Sequence, residues 1–322
     1  MIPEDIFLKI VRCAIKSPSG HNTQPWLFSK EEDNICIMPD FRRSLPVADP
    51  ELRELFISLG CAAETAMIAA KFYGYYPALN IDSMNNLCTI KITLQKEDTA
   101  EQPELYSYIN TRQTTRTLFE NKPIPGADLI TLNHTASESS VILRLSTSED
   151  EIRMLAPYII EANNIQMSNP GFRNELIHWM RFSEKEAMQK GDGLYTVCIG
   201  VPSMGRMLGS IVLKKFVSYK SEEKRLLRQL EKTAVVAIFS AKSNDMEHWI
   251  KTGMAFQRFA LTATKLGISH SSLNSPCQIN CVRDKLMNEI GCEGIPMIII
   301  RMGYSEKMHY SFRRRISEVI IG

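Results

Sequence analysis

Two stretches of this 322-residue chain carry the same pattern of small residues at one fixed separation. The first runs Leu59-Gly60-Cys61-Ala62-Ala63-Glu64-Thr65-Ala66 and continues through Ala69-Ala70 to Gly74. The second runs Thr252-Gly253-Met254-Ala255-Phe256-Gln257-Arg258-Phe259 and continues through Thr262-Ala263 to Gly267. Gly60 matches Gly253, Ala62 matches Ala255, Ala70 matches Ala263 and Gly74 matches Gly267, each pair 193 positions apart. Both stretches read as long, mostly buried helices whose small residues let another helix or a flat ligand approach closely. Each ends on a glycine suited to the left-handed position after a helix. Asp49 with Pro50 is expected to open the first helix, and Asn244 with Glu247 to form a capping box at the second. Such a repeat predicts an internally duplicated fold, and the length suits two units. A chance likeness between two Ala-rich helices is the competing reading.

Short apolar runs at Asn34–Met38, Cys88–Leu94, Val141–Leu145, Val235–Phe239 and Met297–Arg301 read as strands between helices, which predicts an α+β chain. Gln95 to Glu104 is polar, contains Pro103, and is expected to link a first half, 1–104, to a second half, 105–322. Residues 149–220 have no counterpart in the first half. Breaks are expected there at Asn169-Pro170-Gly171 and Lys190-Gly191-Asp192-Gly193, with Ser148 and Glu151 as a capping box and another helix opening at Ser221. The segment reads as an inserted helical lid, its methionines as packing residues.

A formal charge of +2 argues against nucleic acid or an acidic membrane surface as partner, although Arg313-Arg314-Arg315 is a local basic cluster. The opening Met1-Ile2-Pro3-Glu4-Asp5 lacks the features of a secretory signal, and no uninterrupted apolar run reaches bilayer length. Cys36, Cys88 and Cys198 sit in apolar runs and read as reduced, buried thiols, which sets the expected location as cytoplasmic. Cys277 and Cys281 are four apart without a second pair or a histidine partner, so no metal site is expected.

Two constellations carry chemistry. In Ser17-Pro18-Ser19-Gly20-His21-Asn22-Thr23-Gln24-Pro25-Trp26, Pro18 stops a preceding helix over Pro3 to Ile15, and Ser19-Gly20 lets the backbone turn close to a ligand. Asn22 and Gln24 offer amides that donate and accept, which suits the edge of a heteroaromatic ring. They equally suit a turn whose amides satisfy local backbone. In Asn110-Thr111-Arg112-Gln113-Thr114-Thr115-Arg116, the arginines are four apart and would share a helix face, with Thr114 between them. Two guanidinium forks and a hydroxyl suit a phosphate monoester. A solvated basic face is the alternative; Glu120 would then pair with Arg116, whereas Arg112 has no acidic residue three or four positions away.

Together these segments resemble the Pro-Ser-x-x-Asn-x-Gln-Pro-Trp loop and the Arg-x-Ser-x-Arg phosphate motif of the nitroreductase-like flavoproteins, with Thr114 in place of Ser. In that family a homodimer binds flavin mononucleotide (FMN) at its interface, with one motif from each subunit. Here each motif occurs once, the loop in the first half and the arginines at the start of the second. The chain therefore resembles the internally duplicated twin branch, called Acg-like. The resemblance implies a fused pseudo-dimer, each half a small mainly antiparallel sheet flanked by helices, with one composite FMN site between the halves. Asp49 to Gly60 is similar to its first-half helix, and Gly294 to Tyr304 to its last core strand.

Carried over by position, the resemblance implies that Pro18, Ser19, Gly20, Asn22 and Gln24 face the flavin ring. It implies that Arg112, Thr114 and Arg116 hold the phosphate, that Leu273, Asn274 and Ser275 pass the ring, and that one or two of Arg313, Arg314 and Arg315 complete the phosphate site. The C-terminal tail is expected to add an edge strand to the other half. The implied activity is electron transfer from NAD(P)H to a nitroaromatic, quinone or similar small-molecule acceptor, by a monomer or a homodimer. No catalytic side chain is named, because the flavin carries the hydride. His21 and His270 lie near the ring segments as donors or as packed imidazoles. The alternative is a protein that holds FMN beneath its lid without turnover.

Overall fold

The computed structural model describes residues 2–82, 88–97, 103–136, 140–216 and 219–322. Helix α1 (Glu4–Ala14) buries Phe7, Ile10, Val11 and Ala14, the single face that this spacing dictates. It is followed by β1 (Trp26–Glu31), β2 (Asn34–Pro39), α2 (Arg53–Phe72), β3 (Tyr75–Asp82) and β4 (Thr89–Lys96). These strands form an antiparallel sheet in the order β1-β2-β4-β3. Strand β3, an edge strand outside the expected ones, has no purely apolar run; it alternates partly buried and exposed residues. Strand β4 extends to Lys96, so the expected linker begins as strand; residues 98–102 of that linker lie outside the described residues.

The second part contains α3 (Gly126–Asn133), β5 (Val141–Ser146), α4 (Glu149–Met154), α5 (Ala156–Ser168) and α6 (Pro170–Trp179). Next come β6 (Met180–Arg181), α7 (Glu184–Lys190), β7 (Leu194–Tyr195), α8 (Arg206–Phe216) and α9 (Tyr219–Glu231). The chain closes with β8 (Val235–Ala241), α10 (Met246–Lys265), β9 (Ser269–Ser272), α11 (Ser275–Gln278), α12 (Asn280–Glu289) and β10 (Ile295–Gly303). Its main sheet is again four-stranded and antiparallel, ordered β5-β8-β10-β9. Helices α4 to α9 lie between β5 and β8, and α9 opens at Tyr219, close to the helix start expected at Ser221. The tail returns to the first sheet, where Phe28 N–H donates to Val319 O and Ile321 N–H to Phe28 O.

Two helix starts and one capping box differ from expectation. Leu52 adopts a left-handed φ of 62° and delays α2 to Arg53, while Asp49 Oδ2 still caps it by accepting Leu55 N–H at 2.9 Å. Asp245 caps α10 by accepting from His248 N–H, and Asn244 instead accepts from the Trp249 indole at 2.9 Å. Ser148 makes no side-chain cap, because Glu151 turns to Arg144. Asn169 does cap α6, with Pro170 at its first position, as the break predicts.

The two parts meet along α2 and α10, and the matched glycines set their distance. A Cβ on Gly60 would fall 2.0 Å from Ile250 O, and a Cβ on Gly253 would fall 2.0 Å from Ile57 O. Ile57 and Ile250 are themselves 193 positions apart. One turn further on, Gln257 Nε2 donates to Thr65 Oγ1 at 2.9 Å and Arg258 Nε to Glu64 Oε1 at 2.7 Å. Glu64 matches Gln257 and Thr65 matches Arg258 at the same separation. Each contact is thus repeated with the roles exchanged, the signature of a local two-fold axis. By length and composition alone α2 could cross a membrane, but it is mostly buried, as a core helix is.

Candidate functional site

The loop after α1 is anchored first. Ser17 is buried and its hydroxyl bridges Cys61 O at 3.0 Å and Thr65 Oγ1 at 2.7 Å. His21, Asn22 and Gln24 all adopt left-handed φ, at 45°, 54° and 53°. Such conformations cost about 1–3 kcal/mol for a residue with a side chain, so distant contacts must hold them. Asn22 Nδ2 donates to Gly193 O at 3.0 Å and Phe312 O at 3.2 Å, and its Oδ1 accepts from Arg313 at 3.2 Å. Gln24 Nε2 donates to Gly191 O at 2.8 Å, and its Oε1 accepts Arg314 N–H at 2.9 Å. The loop amides therefore clamp the turn at residues 191–193 and the C-terminal tail. Gln24, which the resemblance placed against the ring, is fully buried and is not among the residues lining the cavity. Asn22 lines the cavity, but its amide is already engaged.

Around this loop lies a cavity of about 140 Å³ bordered by Lys16, Pro18, Ser19, Arg112, Thr114, Arg116 and Arg313. Its lining includes four basic side chains and no carboxylate. Arg112 is 5 % exposed; its Nη2 donates to Lys16 O at 3.1 Å, while Nε and Nη1 have no partner. Arg313 Nη2 donates to the same carbonyl at 3.1 Å, and its Nε is unpartnered. Among the described residues none of Arg112, Arg116 and Arg313 forms an ion pair, so Glu120 does not pair with Arg116. Burial pushes Arg112 down to about 10 and Arg313 down to about 9, Arg112 adding to the effect on Arg313. Burial also depresses Arg116, and Arg225 adds to it. Buried N–H groups without acceptors on uncompensated cations are costly. Convergent on one cavity, they would be relieved by an anion there.

The arginines do not share a helix, contrary to the spacing argument. Residues 110–116 are irregular, and Thr114 forms an isolated parallel bridge with His270 while Thr115 N–H donates to His270 O at 2.9 Å. The tail supplies one arginine of its three. Arg314 is buried away from the cavity against Gln24 O, Glu318 O and the Asp40 carboxylate, and Arg315 is exposed.

Through Pro18, Ser19, Thr114, Arg116 and Leu194 the anion pole opens into a chamber of about 370 Å³. Gly20 and His21 wall it from the loop, Glu54 and Ser58 from α2, Phe256 from α10, and Leu273, Asn274 and Ser275 from the second half. Helices α5 and α6 line it with Ile159, Asn163, Phe172 and Leu176, and α9 adds Arg225. Asn274 has no free amide end: its Oδ1 accepts Ile299 N–H at 2.9 Å and its Nδ2 donates to Glu54 Oε1. Lys16, Glu54 and the lining residues of α5 and α6 belong to neither motif. Lys16 adjoins the loop motif, which was a usable signal; nothing in its spacing marks Glu54.

Both chamber histidines are held neutral. Burial pushes His21 down to about 4, with Arg116 adding, and His270 down to about 3, with Arg112 and Arg116 adding. Because the folded values lie below the ordinary 6.5, the unfolded chain binds protons that the native state refuses. This stability is present above pH ~6.5 and is lost as pH falls towards ~4 and ~3, at up to about 1.4 kcal/mol per pH unit for each group. His270→Gln is expected to flatten the fall in stability between pH ~6.5 and ~4 in denaturant melts. An unchanged slope would refute the assignment.

No family model matches the chain. Two proteins of Mycobacterium tuberculosis whose names mark them as candidate NAD(P)H nitroreductases are similar to it. One is 24% identical, covering 97% of this chain and 90% of its own length. The other, named acg, is 21% identical, covering 99% and 96%. Among solved structures, a nitroreductase-like family protein of Bacillus cereus is 16% identical, covering 68% of this chain and 96% of its own at a TM-score of 0.41. A nitroreductase with bound FMN from Bacteroides fragilis is 13% identical, covering 68% and 98% at 0.43. The resemblance carried by two short motifs thus extends along nearly the whole chain.

Proposed function

We propose that this nitroreductase-like chain binds one FMN in the composite cavity and passes electrons from NAD(P)H to a small-molecule acceptor such as a nitroaromatic or quinone. The observation that carries the reading is the anion pole: three arginines without acidic partners, two of them with orphaned N–H groups, at one end of a chamber large enough for a ring. Arg112, Arg116, Arg313 and the Thr114 hydroxyl would hold the phosphate, with Lys16 adding charge. Pro18, Ser19 and Gly20 would lie against one side of the ring, with Leu273 and Ser275 opposite. FMN would supply the hydride chemistry; the protein binds, orients and excludes water. The two-fold contacts between α2 and α10 support a fused pseudo-dimer divided near residue 104, with the lid as an insertion. Charge and composition support neither a nucleic acid nor a membrane partner, and the buried thiols support a reducing, cytoplasmic setting.

A second reading follows from the roof. Ile159, Phe172 and Leu176 close over the chamber, and a lid that stays shut would hold FMN without turnover. Anaerobic NADH or NADPH added to the FMN-loaded protein separates the two. Loss of the oxidised flavin absorbance is expected, followed by its return on adding a benzoquinone. Persistent absorbance with both nucleotides would leave the sequestering role.

A further inference from the structure

Glu54 faces the chamber from the first turn of α2, beside the loop: a Cβ on Gly20 would lie 3.8 Å from Glu54 Cβ. Its carboxyl is positioned by α11 and the chain before it. Ile299 N–H donates to Asn274 Oδ1, which fixes that amide and turns Nδ2 onto Glu54 Oε1. Gln278 adds a further side-chain hydrogen bond. Glu54 is 13% exposed at its side chain, with an Arg53 nitrogen 3.5 Å from Oε1.

The other titratable groups of the chamber are unsuited to giving up a proton near neutral pH. His21 and His270 are already neutral. Burial drives the Cys61 thiol far up. Glu222 and Arg225 close on each other at 2.6 Å. Burial pushes Glu54 up to about 7, Arg53 opposing and Asp49 adding to the rise. Cys61 on α2 and Cys277 on α11 also face it, both raised by burial and both uncharged.

We propose that Glu54 is the proton donor for the acceptor reduced in this chamber and that Asn274 is its positioning residue. The proposal rests on the FMN reading. A quinone acceptor gains a hydride equivalent that originates in NAD(P)H and arrives through the cofactor. One of its oxygens gains the Glu54 proton as the Glu54 O–H bond breaks. The product is the hydroquinone, and the carboxylate left behind is reprotonated by water.

The test uses FMN-loaded protein, reduced anaerobically and mixed with a benzoquinone across about pH 5.5–8.5. In the parent, the reoxidation rate is expected to fall above pH ~7. In Glu54→Gln it is expected to drop by about 10²–10⁴-fold and lose the inflection, with FMN affinity within about twofold of the parent. Glu54→Asp is expected to restore the inflection. An independent readout is the infrared band of a protonated carboxyl in the protein without turnover. It should titrate near pH ~7 in the parent, be missing in Glu54→Gln and shift in Asn274→Ala. An inflection that survives in Glu54→Gln, or a band that does not titrate in this range, overturns the proposal while leaving the FMN reading intact. A parent that takes up no FMN overturns both.

Discussion

Arg112→Met is expected to weaken FMN binding by roughly thirtyfold to several thousandfold while raising the melting temperature of the FMN-free protein. The two effects have one cause. Arg112 is buried with two nitrogens lacking acceptors and no carboxylate beside it. An anion at that position completes a charge-assisted contact, and removing one partner of such a buried pair costs about 2–5 kcal/mol, with about 1.4 kcal/mol for each factor of ten. Without the anion, the same guanidinium is a liability. Its folded value near 10 lies below the ordinary 12.5, so the charged form disfavours the fold until pH rises through ~10. Methionine keeps much of the volume and removes an uncompensated buried group, whose cost is about 1–3 kcal/mol. Calorimetric titration with FMN and a thermal melt of the FMN-free protein check both halves. Unchanged affinity would remove Arg112 from the phosphate site, and a less stable FMN-free variant would show that its charge is balanced in a way the contacts do not reveal.

Gly60→Ala and Gly253→Ala are each expected to cost about 3 kcal/mol or more, at or above the upper end of overpacking. The new methyl would sit 2.0 Å from a backbone carbonyl oxygen of the facing helix, well inside the ~3.3 Å at which carbon and oxygen touch. No side-chain rotation relieves that contact; α2 and α10 must separate. With total stability on the order of 5–15 kcal/mol, a large loss of folded protein follows. Gly126→Ala serves as the control, since a Cβ there meets nothing within 4 Å. The double variant carries a sharper expectation. One separation of the helices accommodates both methyls, so the two costs should sum to clearly less than additive. Full additivity in denaturant titrations would argue against a shared two-fold contact.

Much of the frame was readable along the chain because it depends on local chemistry. The runs at Val141, Val235 and Met297 are strands, since apolar β-branched and large residues bounded by polar segments have few other ways to be buried. Gly74 and Gly267 close their helices with φ of 82° and 72°, a conformation that suits glycine. The helix start at Asn244 was less legible, because two residues able to cap, Asn244 and Asp245, are adjacent and the choice between them is made by packing.

The sequence by itself determined that the chain repeats a small-residue helix at a spacing of 193, and that the loop at Pro18 and the arginines at Arg112 and Arg116 each occur once. That was enough to point to one composite site. Only the tertiary structure decided which of these groups face one cavity. Gln24 and Arg314 were drawn into a clamp 290 positions apart in sequence, whereas Arg313 was turned into the anion pole. Burial pushed His270 down to about 3 and Glu54 up to about 7. The physical reason is that a charge state and a side chain's free valences are set by burial and by neighbours distant in sequence. Helix periodicity and turn chemistry act within a few residues and carry no record of either.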